Sequence, residues 1–99
     1  MSAQQQDEEP LAALARWRGE IEEIDRRIVA LIAERLAVAK QTARAKRAAG
    51  LAILDPQREA EVIRRAGVLA REHGLPAEAV REIYWQLVGL SRRVQESDT

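Results

Sequence analysis

Residues 10–49 read PLAALARWRGEIEEIDRRIVALIAERLAVAKQTARAKRAA, with no proline after Pro10 and one isolated glycine, Gly19. The stretch is rich in Ala, Leu, Ile, Glu and Arg, all but Ile among the stronger helix formers, and predicts one unbroken helix. Its apolar residues recur in heptads. Leu14, Ile21 and Ile28 fall on one line, and Trp17, Ile24, Leu31, Val38 and Ala45 on the line three residues on,. A helix of about 40 residues rising ~1.5 Å each is roughly 60 Å long. A compact domain of this length has a radius of gyration near ~13 Å, hence a diameter of roughly 33 Å. The helix overshoots such a globule, and its seam would lie open to water as a large apolar patch. A symmetric partner is the simplest remedy, so the sequence predicts an intertwined homodimer whose long helices pack together.

Outward from that helix the punctuation is clear. Ala49-Gly50 ends it, Leu51 to Leu54 form a short apolar connector, and Asp55-Pro56 is an N-cap followed by proline at the first helical position,. A second helix is expected from Pro56 to about His73, stopping at Gly74, with Leu75 placed for the usual hydrophobic contact. A third starts at Pro76 and runs to about Gln95, with Val80, Ile83, Leu87, Leu90 and Val94 at helical spacing,. No strand or repeat is evident. The expected fold is all-α, one long N-terminal and two shorter helices per chain, in residues 10–95. Residues 1–9 and 96–99, polar and without apolar periodicity, are expected to be disordered tails,.

Composition narrows the chemistry. The chain has 99 residues, 46% hydrophobic and 32% charged, with 16 basic against 16 acidic side chains. That is the size of one small domain, and the interleaved charges offer no basic field for nucleic acid. No apolar run approaches the roughly 18 to 20 residues a bilayer needs, and MSAQQQDEEP is polar and acidic where a signal peptide is expected to be basic and then apolar,. A cytoplasmic location is expected. Without cysteine and with one histidine, thiolate chemistry and multi-histidine metal sites are excluded,. Any activity must rest on Arg, Lys, Asp, Glu, Ser and Gln.

Some charges break the pattern. Arg35 occupies the heptad line of Leu14, Ile21 and Ile28, and Lys46 follows eleven residues later, about three turns, on the same face. Burying such a cation alone costs several kcal/mol, so it must pair with a carboxylate such as Asp25 or Glu34, reach solvent, or await an anionic ligand. In the next junction, Asp55 suits an N-cap and Glu59 suits a first turn, whereas Arg58 opposes the helix dipole and gains from an anion, either a neighbouring carboxylate or a ligand. Ser91 and Gln95 lie one turn apart beside the apolar line of the third helix. Together with Arg18, Arg35, Lys46 and Arg58 they would furnish a pocket of four cations and neutral donors for a compact, multiply anionic molecule.

In order and spacing, Arg18, Asp25, Arg35, Lys46, Asp55, Arg58, Glu59, Ser91 and Gln95 resemble the all-helical class of chorismate mutases. W-R-G-E-I-E-E-I-D-R-R-I-V-A-L-I-A-E-R is similar to that family's first-helix signature, A-R-A-K to its lysine motif and D-P-Q-R-E to its second-helix start. The likeness runs from about Leu11 to Gln95. Each motif is short; their order and separations together make it specific. It implies three helices per chain in an interwoven dimer with shared sites, and rearrangement of dianionic chorismate to prephenate in phenylalanine and tyrosine synthesis. That reaction needs no nucleophile, metal or redox cofactor, only confinement of a reactive conformer and stabilisation of charge on the ether oxygen. By the resemblance, Arg18 of the other subunit and Arg35 bind carboxylates, and Lys46 and Gln95 donate to the ether oxygen. Glu59 and Asp55 receive the substrate hydroxyl, Ser91 helps hold a carboxylate and Arg58 completes the cationic wall. Val88, Gly89, Arg92, Arg93 and Thr42 carry no role that the resemblance supplies, which leaves pocket volume and substrate preference open.

Two sister activities fit the same scaffold, isochorismate-pyruvate lyase and a mutase of 4-amino-4-deoxychorismate; Glu59 and the D-P-Q-R-E spacing favour the mutase pattern over the lyase. A non-catalytic helical dimerisation or regulatory module is the alternative of another class. Members of that family can also be fused to, or regulated by, other enzymes of aromatic biosynthesis, which leaves a regulatory partner enzyme open for this chain.

Overall fold

The computed structural model describes residues 8–97. Of the tails expected at residues 1–9 and 96–99, residues 1–7 and 98–99 lie outside the described residues, whereas Glu8 and Glu9 are held by Arg16 and by the Ala12 amide. Three helices account for most of the rest: α1, Pro10–Ala48; α2, Pro56–Glu72; and α3, Ala77–Ser97. No strand occurs among the described residues, and none of the helices is long and apolar enough to cross a membrane. The fold is all-α, as the sequence predicts, with helix boundaries within about two residues of expectation. Glu96 and Ser97 depart from it: they continue α3 rather than forming a tail, since nothing from Ala77 onward breaks the helical hydrogen-bond ladder.

Local chemistry explains where the helices stop. The Glu9 carboxylate accepts from the Ala12 amide at 3.2 Å and caps α1,. At the other end Gly50 takes φ 71°, and the Leu51 amide reaches back to the Lys46 carbonyl at 2.8 Å, with Gly50 N on Arg47 O at 3.1 Å. This paired closure needs a left-handed residue and so a glycine. The end of α2 repeats it, with Gly74 at φ 68° and Leu75 N on Ala70 O at 2.8 Å. The start of α2 is set by Asp55, whose Oδ1 accepts from the Arg58 amide at 3.1 Å, followed by Pro56 in the first turn,.

The chain divides into two compact units, one ending at Ala33 and one beginning at Glu34. In the first, none of the described residues is buried, and Leu14, Trp17, Ile21, Ile24, Ile28 and Leu31 all remain exposed. Its polar anchor is Glu8, which receives Arg16 Nη2 at 2.8 Å and Arg16 Nε at 3.0 and 3.1 Å. The hydrogen bonds from Arg16 hold the Glu8 carboxyl below its ordinary value; burial opposes them, and the charge of Arg16 adds a lesser downward push,. The same guanidinium lies 4.2 Å from the Trp17 ring centroid,.

The second unit holds the core: Ala43, Ile63, Ala66, Ala70 and Val88 are the buried apolar residues among those described. α2 and α3 pack against one another. Small residues allow close approach, most sharply at Gly67, where an added Cβ would sit 2.6 Å from Arg81 Nε. Five buried apolar residues, three of them alanine, remove little apolar surface from water for a chain of this length,.

Candidate active site

Seven of the eight expected site residues, Arg35, Lys46, Asp55, Arg58, Glu59, Ser91 and Gln95, belong to the second unit; Arg18 belongs to the first. Arg18 is exposed on α1.

Arg35 resolves one question left by its place on the apolar line. Its Nη1 donates to Ser91 Oγ at 2.7 Å, and its guanidinium sits 5.9 Å from the Tyr84 ring centroid. No ion pair forms between Arg35 and any carboxylate among the described residues. The residue is half-buried. Both of its contacts are neutral, so they orient the fork of donors without cancelling its charge.

Lys46 is half-buried in the same way, with Nζ donating to the Ile53 carbonyl at 3.0 Å. An ammonium has three hydrogens, so this bond fixes the lysine while leaving two for a ligand. One turn after Ser91, Gln95 Nε2 donates to the Ala39 carbonyl at 3.1 Å, and the Gln95 carbonyl receives Arg47 Nη2 at 2.9 Å. The side-chain amide retains a second hydrogen. Ser91 and Gln95 thus tie α3 to the C-terminal part of α1 at two successive turns.

The α2 start behaves differently. Asp55 serves as the N-cap, the ordinary role of Asp before Pro,. Arg58 is exposed and turns to Glu61, Nη1 to Oε2 3.4 Å; the anion it gains from is the neighbouring carboxylate. Glu59 is engaged by a residue to which the sequence assigned nothing. Arg92 Nε donates to Glu59 Oε2 at 3.2 Å and Arg92 Nη2 to Oε1 at 2.5 Å. The hydrogen bonds it donates to Glu59, then the charge of Glu59, raise the Arg92 guanidinium above its ordinary value; burial opposes them and Glu96 adds the smallest push,. These residues line a small cleft with Ile53, Leu54, Gln95 and Glu96. The signal that could have flagged Arg92 is its position one residue after Ser91, but α2 and α3 meet only in three dimensions. Among the described residues no three His, Asp or Glu side chains gather as a metal site.

Comparison with known proteins matches the sequence to a family: chorismate mutase type II covers residues 17–96. The chain belongs to the chorismate mutase type II family. It is 36% identical over 83 residues to a chorismate mutase of Methanocaldococcus jannaschii, spanning 84% of each chain. It is also 30% identical over 73 residues to the T-protein of Haemophilus influenzae, where the match covers 74% of this chain and 19% of that longer protein. As a family chorismate mutase the chain is an isomerase of the all-helical class. The matched range includes every expected site residue, from Arg18 to Gln95.

Proposed function

We propose that this chorismate mutase rearranges chorismate to prephenate in a pocket walled by Arg35, Lys46, Ser91 and Gln95, with Arg18 of the partner subunit closing it. The observation that carries the reading is that Arg35 and Lys46, both half-buried, are held among the described residues by neutral partners, a hydroxyl with an aromatic ring and a main-chain carbonyl. A half-buried cation with its charge uncancelled and its donors pre-aimed favours an anion. Chorismate carries two carboxylates and an ether oxygen that gains charge as its bond to carbon breaks.

On this reading Arg35 and Ser91 bind one carboxylate and Arg18 of the partner subunit the other. Lys46 and the free hydrogen of Gln95 meet the ether oxygen, where their bonds strengthen in the transition state. No group is attacked and no proton is transferred, so the catalytic contribution is conformer selection plus charge stabilisation. Glu59 accepts the ring hydroxyl, with Asp55 and Arg58 at the α2 start flanking it.

The homodimer belongs to the same proposal. Along α1 the apolar residues Leu14, Trp17, Ile21, Ile24, Ile28, Leu31 and Val38 are exposed in the single chain, and a second copy laid along them would remove that surface from water. A cytoplasmic location accords with a cysteine-free chain,.

Loss of chorismate absorbance on adding purified protein, with prephenate identified as product, tests the reaction. Assays on isochorismate and 4-amino-4-deoxychorismate run beside it separate the sister activities. Subunit mixing tests the shared site: Arg18→Ala and Lys46→Ala homodimers are expected to be inactive, and their heterodimer to recover one working site. No recovery after verified exchange would refute the sharing.

A further inference from the structure

The Glu59–Arg92 pair bears on which substrate the cleft accepts. Arg92 engages both oxygens of Glu59, Nε on Oε2 and Nη2 on Oε1. The cleft they border carries one other carboxylate, Glu96, and is otherwise lined by Ile53, Leu54 and the neutral Gln95. Among the described residues that line the cleft, two carboxylates therefore stand beside one guanidinium, that of Arg92. Glu59 is half-buried while Arg92 lies on the exposed side, an arrangement in which the cation covers the carboxylate without sealing it from a ligand.

We propose that Arg92 is a specificity-determining positioning residue: by offsetting the charge of Glu59 it fits this end of the pocket to a neutral hydroxyl and disfavours an ammonium at the same place. The inference rests on the reading of Glu59 as the acceptor of the ring hydroxyl. A hydroxyl needs only one lone pair of the carboxylate, and a carboxylate has about four acceptor sites, so Arg92 and the hydroxyl can share it. An ammonium, in contrast, is attracted by net negative charge and repelled by a guanidinium a few ångströms away. With Arg92 present the two carboxylates of the cleft are half neutralised; without it the cleft presents both to the incoming group. Arg92 also fixes the Glu59 rotamer through a two-point contact that lysine cannot reproduce.

The test compares kcat/KM on chorismate and on 4-amino-4-deoxychorismate, which differ in this one group, for the wild-type protein and for Arg92→Gln and Arg92→Lys. In Arg92→Gln the ratio of amino to hydroxy substrate is expected to rise by roughly tenfold or more, the effect of one unit charge at short range in a partly exposed site. Arg92→Lys keeps the charge and should hold the ratio near the wild-type value, while KM for chorismate rises because Glu59 is less firmly placed. Glu96→Gln removes a carboxylate with Arg92 intact and should move the ratio the opposite way, which keeps the idea testable if Arg92→Gln folds poorly. A purely structural Arg92 would lower both rates together; a ratio unchanged in Arg92→Gln and in Glu96→Gln overturns the proposal while leaving the mutase activity standing. A wild-type protein inactive on chorismate overturns the site reading and this proposal with it.

Discussion

Leu31→Ala is expected to weaken the dimer measurably without touching the ligand-binding side chains. Leu31 lies on the heptad line of Trp17 and Ile24, and 62% of it is exposed in the single chain. Burying a whole leucine side chain contributes about 1.5–3 kcal/mol, so covering the exposed share contributes roughly 1–2 kcal/mol per subunit. A two-fold interface contains the residue twice, which gives about 2–4 kcal/mol per dimer, or a roughly 30- to 1,000-fold rise in the dissociation constant. Sedimentation equilibrium across a dilution series reads that shift directly. Because Arg18 is proposed to act across the interface, specific activity of the variant should fall on dilution and return on concentration, with the activity midpoint tracking the mass midpoint. The reasoning fails if Leu31→Ala leaves the dissociation constant within about twofold of wild type, a change smaller than the lower bound of the burial argument. Full activity in a species of monomeric mass would refute the shared site itself.

Lys46→Ala removes a donor aimed at developing charge and is expected to lower kcat by about 10²- to 10³-fold with KM changed far less; near-normal turnover in a folded variant would exclude the ether-oxygen role. Asp55→Ala, losing the bond to the Arg58 amide, should cost about 1 kcal/mol and lower Tm by roughly 4–8 °C, whereas Asp55→Ser should restore most of that Tm; equal losses in both would point away from capping. In the first unit the Glu8 carboxyl is held below its ordinary value. Its contribution to stability is accordingly present above the unfolded carboxylate range and is lost as pH falls through the lower folded value. Side-chain NMR of Glu8 should show a titration shifted to more acid pH that returns to normal in Arg16→Gln; an unshifted Glu8 in the wild-type protein would contradict the pairing.

Helix ends were legible because each depends on neighbours in sequence. Asp55 before Pro56, Gly50 after the first helix and Gly74 after the second state their roles within a few residues, and both glycines take the left-handed conformation expected of them. The spacing of Arg35 and Lys46 on a helix face also marked them as unusual. What each would touch was not legible: Ser91 on Arg35 and Ala39 on Gln95 are separated by 56 residues in the chain, and such pairings are decided by how helices pack. Arg92 went unassigned for the same reason, since its partner Glu59 lies 33 residues away on another helix. The extension of α3 over Glu96 and Ser97 was missed because polar residues at a chain end carry no apolar period, while the backbone ladder tolerates them,.

Two contacts in the pocket wall go to carbonyl oxygens rather than side chains, Lys46 to Ile53 and Gln95 to Ala39. Main-chain acceptors survive any substitution that leaves the backbone in place, so positions 39 and 53 supply anchoring that no residue identity encodes. Their side chains can change without releasing either donor. Ile53 also lines the cleft beside Glu59, which makes it a position where this pocket can be recontoured for a bulkier or slimmer substrate while the polar frame around it stays fixed.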